Sequence, residues 1–139
     1  MIPSVAVITS TQGRSTITRA IKSVQEQTRK ARHYVFIHGA DYSDKTTPHL
    51  APDTVAVHLP NANGTGGYGM APVFALAPFV VDEDIILYLD DDNWYEPDHI
   101  ESLVEIIEKH NLGWAYSLRK IVDNEGNCCL LYTSDAADD

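Results

Sequence analysis

The chain has 139 residues, 44% of them apolar, and a formal net charge of −10. That length suits one domain with a sizeable core and not two. The charge disfavours non-specific binding to nucleic acid or to anionic membranes, so an anionic nucleotide substrate would need local help from a cation.

Val5 to Ile8 is a short β-branched run that reads as a buried parallel strand, not as the apolar core of a signal peptide. The expected context is therefore cytoplasmic, and no apolar run approaches the length that spans a bilayer. Thr9 to Arg14 reads as a polar loop, with Ser15 as the N-cap of a helix whose buried stripe is Ile17, Ala20, Ile21, Val24 and Thr28. His33 to Ile37 predicts a second strand, followed by the loop His38-Gly39-Ala40-Asp41. Thr54 to Leu59, with alternating Val55, Val57 and Leu59, predicts a third.

Pro60 to Gly69 is rich in turn residues, and Gly64, Gly66 and Gly69 match G-x-G-x-x-G ahead of a helix expected over Met70 to Ala77. A dinucleotide site would begin its tight turn directly after the strand, whereas Pro60 to Asn63 intervene and Pro78 cuts the helix short. Ile85 to Leu89 then forms a fourth strand that runs into Asp90-Asp91-Asp92-Asn93. Burying unpaired carboxylates costs several kcal/mol each, so this triplet belongs at an exposed strand end, facing water or a cation. If the extended backbone continues, Asp90 and Asp92 point the same way and Asp91 the other. Two hard oxygen ligands on one face suit Mg2+ or Mn2+; the plain alternative is an acidic turn capping the next helix.

Pro97 opens that helix, with Asp98 and Glu101 in its first turn and Ile100, Leu103, Val104 and Ile107 as its buried stripe. Gly113 lies just past its end, Trp114 to Val122 reads as a further strand, and Asp123 to Asn127 as a hairpin turn. Cys128 and Cys129 are adjacent, a spacing that fits neither a disulfide framework nor a zinc motif. Residues 129–139 show no helical or strand period and no obvious partner, and they resemble the translation of a transposon-end sequencing adapter. The working division is thus 1–128 as an α/β domain with a mostly parallel sheet and 129–139 as an artefactual tail.

Three stretches together resemble glycosyltransferase family 2, nucleotide-sugar transferases of the GT-A fold. They are Val7 to Arg14 with Arg19 to Thr28, Tyr88 to His99 with its DxD segment, and Trp114 to Lys120. The resemblance implies a three-layer, Rossmann-like GT-A sandwich, incomplete at the C-terminus of this chain. It implies a donor that is a nucleoside-diphosphate sugar, UDP-linked, with the acceptor (glycan, lipid or protein) unspecified, and no nucleic-acid partner. Asp90 and Asp92 become the expected metal ligands for Mn2+ or Mg2+. Thr9, Ser10, Thr11 and Arg14 become nucleotide contacts, Asp91 a ribose contact, and Asn63 and Gly64 part of the donor pocket. Where the family ends its second strand in an acid that reads the base, this chain has His38, which leaves Asp41 as the candidate base contact. Trp94 could stack on a sugar or pack on the sheet edge.

An inverting transferase also needs a carboxylate base on its acceptor side. Nothing between Asn93 and Cys128 matches that motif, and Glu101 and Glu105 read as a solvated helix face. The catalytic base is therefore unassigned, and the expectation is a fragment that binds a donor nucleotide and transfers little sugar. A nucleotidyltransferase, a dinucleotide-binding domain and a non-catalytic nucleotide-binding module remain the alternatives.

Overall fold

The computed structural model describes residues 2–62, 71–123 and 127–132. It divides into two compact units, Met1–Glu101 and Ser102–Asp139.

The first unit is α/β and Rossmann-like. Its sheet contains β1 (Val5–Thr11), β2 (Arg32–His38), β3 (Val55–Leu59) and β4 (Ile85–Tyr88), in the order β3-β2-β1-β4 and parallel at every pairing. Between β1 and β2 runs α1 (Ile17–Gln25); α2 (Ser43–Thr46) and flanking 3-10 turns precede β3; α3 (Ala71–Leu76) precedes β4. Strand alternation sends Ala6, Ile8, Tyr34 and Phe36 to one face, where Val73, Ala77 and Val81 complete a core cluster. Val7, Val35 and Ile37, on the opposite face, are equally buried. In the β1–β2 crossover, α1 buries Ile17, Ala20, Ile21 and Val24, the helical stripe expected of an element packed on a sheet.

Three expectations are corrected in this unit. β1 does not stop at Ile8: it runs to Thr11, because β2 offers parallel partners as far as Thr11↔Ile37. Thr9 to Thr11 are therefore strand and not loop. The residue ahead of α1 is Thr16, without a side-chain cap bond, so Ser15 does not cap the helix. Thr28 lies beyond α1, and its backbone N–H donates to Pro97 O at 2.9 Å. α3 gives way to a 3-10 turn, Ala77–Phe79, where Pro78 removes a backbone donor. Met70 and the glycines Gly64, Gly66 and Gly69 fall outside the described residues.

Next comes α4 (His99–His110), which begins in the first unit and continues into the second, so Pro97 precedes the helix instead of opening it. Its end is set by Asn111 and not by Gly113: Asn111 takes φ 50, and Leu112 N–H returns to Ile107 O at 3.0 Å. The second unit also holds β5 (Arg119–Val122) paired antiparallel with β6 (Cys128–Tyr132). The predicted strand from Trp114 is thus only its last four residues, while Trp114 and Tyr116 stack with ring centroids 5.8 Å apart. β6 also corrects the reading of residues 129–132 as partnerless. Asp123 N–H donates to Asn127 O at 3.0 Å, and the apolar, strand-compatible sequence from Cys128 pairs back beside β5.

Candidate functional site

The carboxyl ends of β1, β2 and β4 lie side by side, so their following residues share one edge of the sheet. In open α/β sheets this edge is where ligands bind. After Tyr88 the strand breaks. Leu89 N–H still donates to Ile8 O at 2.9 Å, and then Asn93 N–H closes a turn on Asp90 O at 3.1 Å. The acids are therefore sorted by a turn and not by continued strand alternation.

Asp91 is the buried member, 5% exposed, and its Oδ2 accepts from Thr11 Oγ1 at 2.7 Å. Burial pushes its carboxyl above the usual range, while the Thr11 hydroxyl and the Arg14 guanidinium pull the other way. The Thr11 oxygen also accepts from Gly13 N–H at 3.1 Å, where Gly13 takes φ 76, a left-handed turn that favours glycine. One threonine thus ties the loop after β1 to the loop after β4. Asp92 is exposed, and its Oδ2 accepts from Arg14 Nη1 at 2.8 Å, a nitrogen that lies 3.5 Å from Asp91 Oδ1. Asp90 is half-buried, and its Oδ2 accepts from Asn93 Nδ2 at 3.2 Å.

A row of polar side chains on and just beyond α1, spaced four apart, holds the acidic loop from below. Arg19 Nη2 donates to Asp92 O at 2.8 Å, with its guanidinium 3.9 Å from the centre of the Trp94 ring. Ser23 Oγ accepts from Tyr95 N–H at 3.1 Å. Gln27, 2% exposed, donates to Ser23 O and Glu96 O, and its Oε1 accepts from Ile100 N–H at 2.9 Å. That last bond satisfies an otherwise orphaned donor in the first turn of α4. Sequence reasoning missed this strap; the visible signal was Arg19, Ser23 and Gln27 at i, i+4 and i+8 beside an apolar stripe. It also settles Trp94 against the arginine.

The other expected residues fall in three groups. Thr9 is fully buried, and its hydroxyl lies 2.9 Å from Nε2 of buried His33. Ser10 is equally buried, with no hydrogen-bond partner for its hydroxyl among the described residues. Asp41 is exposed on a 3-10 turn, Ala40–Tyr42. Asn63 and Gly64 lie outside the described residues. His38, by contrast, lines a cavity of about 170 Å3 with Leu59, Pro60, Asn61, Pro72, Val73 and Leu76. Burial lowers its pKa, with Asp91 opposing the shift, and Gln12 Nε2 is 3.4 Å from its Nδ1. Glu101 is not simply solvated: it pairs with Arg29 at 3.5 Å.

No group of three or more His, Cys, Asp or Glu side chains among the described residues could by itself hold a metal ion. Asp90 and Asp92 each offer carboxylate oxygens of the hard type that Mg2+ or Mn2+ takes one or two at a time, with water and phosphate completing the shell. The Asp92 carboxylate meets a cationic group in this structure, the Arg14 guanidinium.

The fold is a Rossmann-like α/β sheet with its polar and acidic residues gathered at one edge, and comparison with known proteins gives its family. The sequence profile described as Glycosyl transferase family 2 matches residues 4–128, and the chain belongs to that family. Among solved structures, it is similar to a CMP:2-keto-3-deoxy-manno-octonic acid synthetase complexed with CTP, at 12% identity and a TM-score of 0.56. The match covers 92% of this chain and 63% of that one, and at such identity it speaks for the fold alone. No curated protein matches the chain. No helix among the described residues is long and apolar enough to cross a membrane.

Proposed function

We propose that the chain is the donor-binding part of a glycosyltransferase that takes its sugar from a UDP-linked donor, with a divalent ion on Asp90 and Asp92. The observation that carries this reading is the meeting of the acidic loop with Thr11 and Arg14 at one sheet edge, in a chain of this family. Once bound, the ion would neutralise charge growing on the departing diphosphate. In this reading Arg14 meets the phosphates, because its guanidinium is exposed and suits bidentate contact. Asp91 and Thr11 act as anchors that hold the two loops in register, and Thr9 belongs to the core. The cavity at His38 and Asn61 is the candidate base pocket. Its histidine, held towards the neutral form by burial, supplies one donor or one acceptor where a carboxylate could only accept. Asp41 is a contact from the rim at most. Residues 129–139 lie outside the family match, which supports reading them as a tail.

Calorimetry with UDP, GDP, CTP and NAD, each with and without Mn2+, tests this. The expected result is UDP binding that chelation and Asp92→Ala both abolish. A second reading, a nucleotidyltransferase, is favoured by the likeness to a CTP-complexed synthetase. Preference for CTP over UDP would support it, and metal-independent NAD binding would point to the dinucleotide alternative.

A further inference from the structure

Asp92 is assigned to the metal, yet one of its oxygens is already taken. Arg14 Nη1 lies 2.8 Å from Asp92 Oδ2 and 3.5 Å from Asp91 Oδ1. The arginine arrives from the opposite side of the edge, 78 residues away in sequence, on the turn that Gly13 and Thr11 fix. Its backbone is therefore anchored, while its side chain, 62% exposed, can swing into solvent. Arg19 is not an equivalent second cation. It bonds the Asp92 carbonyl and not the carboxylate, and it is stacked on Trp94.

A guanidinium and a divalent ion cannot both sit on the same carboxylate oxygen without close contact between like charges. A diphosphate on that ion changes the balance, since it offers Arg14 a new anionic partner beside the old one. We infer that Arg14 is a tethered cation that competes with the divalent ion for Asp92 and transfers to the nucleotide phosphates when both ligands bind. Rested on the donor-site reading above, this makes metal and nucleotide binding mutually reinforcing. By linkage, UDP must raise metal affinity by the factor by which metal raises UDP affinity, and Arg14 carries part of that factor. The free chain holds its metal weakly and does not strand it on an empty site.

The test is a Mn2+ titration of the 139-residue chain, read by electron paramagnetic resonance of the free ion, with and without UDP. Arg14→Gln is expected to bind Mn2+ alone about two- to five-fold more tightly than the unmodified chain, the range of an exposed ion pair. It is also expected to show a smaller gain in Mn2+ affinity on adding UDP. Arg14→Met is expected to behave alike, and stands in for the glutamine should that side chain find its own bond to Asp92. Unchanged or weaker Mn2+ binding by both variants, with binding still lost in Asp92→Asn, overturns the competition and leaves the donor site standing. Absence of Mn2+ binding by the unmodified chain even with saturating UDP overturns the donor site, and the competition falls with it.

Discussion

The acidic edge of the first unit and the β5–β6 hairpin of the second are built in opposite ways. At the edge, Thr11 reaches Asp91 across 80 residues, and Gln27 reaches Ile100 across 73. Their partners are buried, and each side chain answers two or three backbone or carboxylate groups. The β5–β6 pair is local: its strands are neighbours in sequence, and Ile121 within it is exposed, as are Trp114, Tyr116 and Leu118 just before it. A two-stranded hairpin is marginal in water by itself. Precise placement of charge thus comes from distant contacts inside a parallel sheet, whereas strand pairing alone needs only a turn and compatible residues. That is why residues 129–132 can pair with β5 on local sequence alone.

Acidification should separate the two regions most. Burial lowers the His33 pKa from 6.5 to about 4, so the unfolded chain takes up the proton first. Stability from this group is complete above pH 6.5 and falls as the pH drops towards 4, by up to about 3 kcal/mol. Urea midpoints at pH 7.5 and 4.5 should differ less in His33→Gln than in the unmodified chain; equal differences would remove His33 from the account.

Next in size is Gln27→Leu, which strands Ile100 N–H in a buried place and takes one donor from the carbonyls of Ser23 and Glu96. A loss of about 2–3 kcal/mol is expected at neutral pH, measured by urea unfolding. Thr11→Val follows at about 1–2 kcal/mol, because the buried Asp91 carboxylate loses its donor. The same variant should weaken UDP–Mn2+ binding, and a tight-binding Thr11→Val would show that the two loops need no tie. Trp114→Ala, in the second unit, is expected to change stability by no more than about 0.5 kcal/mol, since the residue is 73% exposed. A larger effect there would erase the contrast between the regions.

Much of the site's outline was legible in the chain. The apolar run into Asp90-Asp91-Asp92, the stripe of α1 and the strands before Arg14 and His38 follow from periods of two and 3.6 read over a few neighbouring residues. The same local pattern sufficed for the family resemblance and for an α/β sheet. The roles within the outline were not legible. Thr9 looked like a loop hydroxyl because Thr-Ser-Thr is polar, but parallel partners on β2 keep it in the strand beside His33. Asp91 and Asp92 are chemically identical neighbours, and only Thr11 and Arg14 make one a buried anchor and the other an exposed ion-pair partner.

By itself, then, the sequence determined the order of elements, the position of the acids and the kinship, since each is written within a window of about ten residues. Tertiary structure alone decided which hydroxyl is core, which acid is buried, and that Gln27 holds the loop beneath them. Those assignments depend on partners 24 to 80 residues apart, which the strand order β3-β2-β1-β4 and its crossovers bring within bonding distance.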